Sequence, residues 1–211
     1  MPKVTSMEII GRYMDEKKSK GIENVVNSLQ DMHPGTHCVV VYPDLSTLRK
    51  IYAKYVKNEL GRNRIVLMLP YYETEYDVRK ALSITEARVN GQPDSSSLFI
   101  LDSFQAFSRY HSDSRVGQKG TLFSLLNTLK MQEKKLAKEG ISLIVDLGSL
   151  LSNGGFERLT EYERYISEIC ANTRHKQICF CHQRDFEAHL TTRQQANLLD
   201  YHTQTVIMME K

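Results

Sequence analysis

His37-Cys-Val-Val-Val-Tyr42, followed at once by Pro43-Asp-Leu-Ser-Thr47, is a short unbroken apolar run that ends in an abrupt polar turn. A run this short and continuous reads as a strand buried on both faces, as in parallel sheets. Asp44 reads as the N-cap of a following helix, in which Leu48, Ile51, Tyr52, Tyr55 and Val56 share one face and which Gly61 ends. The turn is also informative for what it lacks. A phosphate-binding loop would place G-x-x-x-x-G-K-[ST] there, because glycine amides and a lysine cradle the phosphates. Tyr42 to Thr47 contains no glycine and no lysine, and the Asp44 carboxylate would repel phosphate. A G-x-G-x-x-G dinucleotide loop is missing too. Conventional triphosphate hydrolysis is therefore not expected.

Outward from this stretch, strand-like runs alternate with helical spacing. Further strands are expected at Ile65–Leu69, Leu98–Asp102, Ile141–Asp146, about 177–181 and 205–209. Between them lie a helix from Thr74 to Gly91, a polar loop from Arg109 to Lys119, and a helix carrying Leu122, Leu125, Leu126, Leu129 and Leu136 that Gly140 closes. A helix after Gly154-Gly155 carries Phe156, Leu159, Tyr162, Ile166 and Ile169, and a last short one runs from Thr191 to Tyr201. Such alternation implies a largely parallel central sheet with helices on both faces, a three-layer α/β domain. Residues 1–35 read as an N-terminal helical extension with two stripes, Ile9, Ile10, Tyr13 and Met14, then Ile22, Val25, Val26 and Leu29. Residues 36–211 read as the α/β domain.

The 211 residues, 41% hydrophobic and 25% charged, suit one folded domain. The net charge of +3 does not call for nucleic acid. No apolar run approaches the ~18–20 residues of a membrane span, and Met1–Lys20 has no signal-peptide core, so the expected location is the cytoplasm, with reduced cysteines.

In open α/β sheets ligands bind beyond the carboxyl ends of the strands. That rule selects Tyr42, Pro43, Asp44, Tyr71, Tyr72, Glu73, Asp102, Ser103, Asp146, Gly148, Gln183 and Arg184. Tyrosines at Tyr42, Tyr71 and Tyr72, with Tyr110 in the polar loop, supply apolar area and one hydroxyl each, which suits a small organic ligand; the competing reading is rim packing under helices. Asp102 and Asp146 each close an apolar run, the pattern that offers a carboxylate to magnesium in nucleotide hydrolases, but also a common loop cap. Cys179, Cys181 and His182, with His37, Cys38 and His202, lack the C-x₂₋₄-C spacing of a zinc site and read as core residues, so no metal ligand is assigned. Neither Ser103 nor Ser149 lies in a G-x-S-x-G elbow.

Three segments carry a family likeness: Gly35-Thr-His-Cys-Val-Val-Val-Tyr42 with the helix to Gly61, Leu159-Thr-Glu-Tyr-Glu163, and Ile178-Cys-Phe-Cys181 through Asp185-Phe186 to His202 and Val206-Ile207. Over about residues 36–209 the chain resembles the sensory domain of the DcmR family of methylotrophs and methanogens, the MEDS domain. The resemblance implies a RecA- and KaiC-like core that has lost its phosphate loop, with the first strand central, and a role in sensing small organic ligands and signalling to a DNA-binding or kinase domain. No helix-turn-helix or kinase signature accompanies it here. The expected function is thus a non-catalytic ligand-sensing or signalling module. The alternatives are a divergent RecA/KaiC-like nucleotide-binding protein, with Asp102 or Asp146 on magnesium, and a protein-interaction scaffold. The expected ligand site joins Tyr42, Asp44, Tyr71, Tyr72, Asp102 and Arg184, and no cofactor is named. The expected partners are a small molecule and a signalling or transcriptional protein, with homodimerisation through the N-terminal helices. Membrane and direct nucleic-acid contacts are not expected.

Overall fold

A computed structural model describes residues 21–84, 96–108, 121–171 and 173–208. Six strands form one sheet: β1 (His37–Tyr42), β2 (Ile65–Leu69), β3 (Leu98–Ile100), β4 (Ile141–Asp146), β5 (Lys176–His182) and β6 (Gln204–Ile207). Every pairing is parallel, and the order is β3-β2-β4-β5-β1-β6. The described helices are α1 (Ile22–Gln30), α2 (Leu45–Gly61), α3 (Glu75–Ile84), α4 (Ser103–Ser108), α5 (Thr121–Lys135), α6 (Gly148–Ala171), α7 (Gln183–His189) and α8 (Thr192–Asp200).

The period-2 alternation of each strand sorts the core into two layers. On one face Cys38, Val40, Tyr42, Val66, Met68, Ile144, Ile178 and Phe180 pack against α1, α2 and α3. On the other, Val39, Val41, Leu67, Leu143, Val145, Cys179 and Cys181 meet α4 to α8. Strands with side chains buried on both sides explain why β1, β2 and β4 read as unbroken apolar runs. Val25, Val26 and Leu29 of α1 are buried in the first layer, so the second of the two amphipathic stripes docks on its own domain. The first stripe, Ile9 to Met14, lies outside the described residues, as do the end of the Thr74–Gly91 helix, the Arg109–Lys119 loop with Tyr110, and Met209.

β1 is the fifth strand in the order, with β6 outside it, and β4 and β5 separate it from β2. β1 is therefore next to the edge strand rather than central, and it is not a neighbour of β2 and β3, which pair with each other. The helices leaving β1 and β2 cover one face, while those leaving β4 and β5 cover the other. Crossovers thus diverge between β2 and β4 and again between β5 and β1, the topology that opens a crevice at strand carboxyl ends.

At the amino ends a buried network ties the sheet to α2. Glu59 lies 3.0 Å from Arg64 and 3.4 Å from Lys176, and Ser142 donates to its carboxylate. Arg64 also donates to the carbonyls of Glu139, Ile141 and Arg174. Gly140, at φ +134°, allows this: a Cβ there would meet the Arg174 carbonyl at 2.5 Å.

Candidate functional site

At the carboxyl ends, Asp146 closes β4 and is buried. Its Oδ1 accepts the Gly148 amide at 2.9 Å and its Oδ2 accepts the Tyr42 hydroxyl at 3.1 Å. β5 lies between β4 and β1, so the Tyr42 ring reaches across that strand, edge-on to Phe180 and His182 at centroid distances of 6.1 and 5.1 Å. Burial pushes the Asp146 carboxyl up to about 7 against the Gly148 and Tyr42 hydrogen bonds, with Asp185 and Glu73 adding to the rise. Burial also raises the Tyr42 phenol, as does the neighbouring Asp146.

The loop after β2 supplies the rest. Tyr72 donates to Asp185 on α7, and its ring lies 5.5 Å from His182 and 4.8 Å from Tyr71. Burial raises the Tyr72 phenol, with the Asp185 hydrogen bond next in effect. Tyr71 crosses the start of α6, where Ser152 Oγ is 2.9 Å from its hydroxyl. Gly148 makes room for that ring, since a Cβ there would stand 2.4 Å from Tyr71 Cδ1. His182 ends β5 and caps α7, its Nδ1 accepting the Arg184 amide at 3.0 Å. That bond leaves Nε2 as the protonated nitrogen of a neutral ring. Glu73 is buried and accepts from Arg49 Nε at 2.7 Å and from the Tyr52 hydroxyl at 3.4 Å.

Above this layer lies a small crevice, with about 20 Å³ of free space, walled by Leu48, Met68, Leu69, Pro70, Val78, Ile144 and Phe180 and edged by Tyr52, Tyr72, Glu73 and Asp146. None of its lining residues is basic. Apolar walls with a few convergent polar groups are the usual character of a small-molecule site.

Of the six residues expected to form the site, Tyr72 alone is in the crevice lining, with three others near it. Tyr72 lines the crevice, Tyr42 lies beneath it as a wholly buried residue, and Tyr71 packs alongside. Arg184, largely exposed, lies beside Asp185 on α7. The other two act as helix caps. Asp44 accepts from Thr47 N and Oγ1 at 3.0 and 2.7 Å, bonds that lower its carboxyl. Asp102 accepts from Gln105 N at 2.9 Å at the start of α4, beside edge strand β3. Sequence reasoning missed Tyr52, His182 and Asp185. The last two sit at the head of α7, whose seven residues are too few to show helical periodicity.

A family model, the "MEthanogen/methylotroph, DcmR Sensory domain", matches residues 36–202. No curated protein matches the chain. Among solved structures, the chain is similar to a KaiC-like protein from the hyperthermophilic archaeon Pyrococcus horikoshii OT3, at 12% identity and a TM-score of 0.53, covering 82% of this chain and 72% of that one. It is also similar to an uncharacterized protein from Pyrococcus horikoshii in complex with an unknown peptide, at 11% identity and a TM-score of 0.60, covering 88% and 82%. These likenesses establish a KaiC-like, RecA-like fold. Among the described residues no helix is long and apolar enough to cross a membrane.

Proposed function

The chain belongs to the methanogen/methylotroph DcmR sensory (MEDS) domain family, and from that premise we propose that it is a non-catalytic sensing module that takes a small organic molecule into the crevice over β2, β4 and β5 and relays occupancy to a partner protein. The carrying observation is the wall chemistry. Seven apolar residues line it with two carboxyl groups and two phenols, and no basic residue is among them. Such a site offers phosphate no lining cation, with Arg49 already paired to Glu73, and suits an uncharged or cationic molecule with an apolar body and a hydrogen-bond donor.

The relay follows from Tyr72. Its hydroxyl holds Asp185, so the loop after β2 is tied to α7. A ligand that displaces the Tyr72 ring frees that carboxylate and shifts α7, with its exposed Arg184, toward a second position. Differential affinity for the two positions is what a sensor requires.

A nucleotide-binding reading draws on Asp146 at the end of β4 and on the KaiC-like fold. Against it, both Asp146 oxygens are already engaged, by Tyr42 and Gly148, and the turn after β1 is spent on the Asp44 cap. Calorimetry with ATP and magnesium, paired with a phosphate-release assay, separates the readings. No heat and no turnover are expected. Turnover abolished by Asp146→Asn would replace the sensor with a nucleotide hydrolase.

A further inference from the structure

Behind β1 and β5, under α6 and α8, lies a second polar cluster well away from the crevice residues. We propose that His37, Glu163, Cys179 and His202 form a closed site for one divalent transition-metal ion of the zinc class. Each offers a ligand atom, all four atoms lie within 4.8 Å of one another, and all four residues are buried. The spacing suits a shared centre. His37 Nε2 is 3.1 Å from Glu163 Oε2 and 3.3 Å from Cys179 Sγ, and His202 Nε2 is 3.4 Å from Glu163 Oε2. Bonds of about 2.0–2.3 Å to a tetrahedral ion put its ligand atoms roughly 3.3–3.8 Å apart, so the pairs at 3.1–3.4 Å stand near that spacing and the widest, at up to 4.8 Å, closes by about 1 Å on binding.

The surroundings aim the donors inward. His202 Nδ1 donates to the Leu198 carbonyl at 2.8 Å, which leaves Nε2 as a lone pair facing Glu163. His37 Nδ1 meets Ser167 Oγ at 3.3 Å on the far side of its ring. Such outward hydrogen bonds orient metal-ligating histidines. Gln177 Nε2 sits 3.0 Å from Cys179 Sγ and 3.0 Å from the Tyr162 hydroxyl, where an amide hydrogen supports a thiolate. It is also 3.1 Å from His37 Nε2, a contact that the metal bond replaces.

A second observation is independent of spacing. Glu163 is 0% exposed, yet neither of its carboxylate oxygens has a hydrogen bond of satisfactory geometry, and His202 Nε2 has none either. Buried polar atoms left so are costly and rare, and a bound cation would satisfy them. Charge selects the ion: one thiolate and one carboxylate with two neutral imidazoles cancel a divalent cation. The N₂OS donor set favours zinc over calcium or magnesium, which take oxygen ligands. Four protein ligands leave no open position, so the site ties α6, β1, β5 and the turn before β6 together and performs no chemistry. The sequence obscured it because its ligands come from four separate elements, with no local motif.

The test uses the full chain, expressed with added zinc and purified without chelator. Metal analysis should find one zinc per chain. After chelation, cobalt(II) should saturate at one equivalent with tetrahedral ligand-field bands and a thiolate-to-cobalt charge-transfer band. Zinc added to the apo chain at a hundredfold excess over Kd should raise Tm by about 5–10 °C. Cys179→Ser should abolish the charge-transfer band, while Cys38→Ser, on the opposite sheet face, should keep it. Substoichiometric zinc with no cobalt spectrum would overturn the proposal, as would a charge-transfer band that survives Cys179→Ser. Should that variant not fold, the wild-type stoichiometry and spectrum decide alone.

Discussion

Replacing Asp146 by asparagine should make the protein more stable at alkaline pH and remove a pH dependence that the wild type carries. The carboxyl is fully buried and is pushed up to about 7, whereas in the unfolded chain it titrates near the ordinary aspartate value. The folded state then holds a proton that the unfolded state releases between those values. Stability is therefore highest below the unfolded pKa and falls as pH rises through the folded one. Moving an aspartate from near 4 to about 7 corresponds to roughly 4 kcal/mol over the whole window. About 2.5–3 kcal/mol of that falls between about pH 5 and pH 8. Asparagine is nearly isosteric with the neutral acid and can keep both bonds, its oxygen accepting the Gly148 amide and its nitrogen donating to Tyr42. Urea unfolding at matched ionic strength, extrapolated to water at several pH values, gives the two curves. Other titrating groups, among them His175, which burial lowers to about 4 and which works in the opposite sense, cancel in the difference. The curves should converge near pH 4 and diverge steadily to pH 8, with the asparagine variant on top. Parallel curves, or a wild type that is the more stable at pH 8, would refute the reasoning.

Tyr42→Ala should cost about 3–5 kcal/mol, as expected for a large aromatic removed from a closed core, so it tests folding rather than binding; chemical denaturation reads the loss. Tyr72→Phe should leave the chain folded but cost about 1.5–3 kcal/mol, the range for a hydrogen bond to a charged group, and α7 amides should exchange faster with deuterium. Glu59→Gln should destabilise by about 3–5 kcal/mol, because it leaves Arg64 and Lys176 buried without a counter-charge; a drop in Tm of only a degree or two would show that the amino-end network is dispensable.

The layers were readable because burial on both faces writes itself as unbroken apolar runs: β1, β2 and β4 fall within the expected spans. Where local signals were short, the reading slipped. β3 ends at Ile100, and Asp102, expected to close it, instead starts α4, a six-residue helix with no periodic stripe. The helix expected after Gly154-Gly155 begins at Gly148, and a kink at Gly155, with φ of 65°, divides it, which is why the glycines looked like a boundary. Strand order was beyond the sequence, since no local residue records that β4 and β5 insert between β1 and β2. For the same reason Asp146 emerged as the partner of Tyr42 only once the sheet was assembled, 104 positions away in the chain. Aspartates at strand ends look alike in sequence; what separates Asp102 from Asp146 is that one lies at the sheet edge, exposed, and the other at its centre, buried.

The central claim, an organic-ligand sensor, is tested most directly by backbone chemical-shift mapping. The isotopically labelled chain is titrated with a panel of small uncharged alcohols and phenols, small organic amines, inorganic phosphate and ATP with magnesium. The account predicts saturable shifts from at least one uncharged or cationic organic compound, centred on Tyr52, Tyr72, Glu73 and Val78 and extending to α7 through Asp185, with no shift from phosphate or ATP. Shifts from ATP–magnesium centred on Asp146, or an organic panel that leaves the crevice residues unmoved, would contradict it.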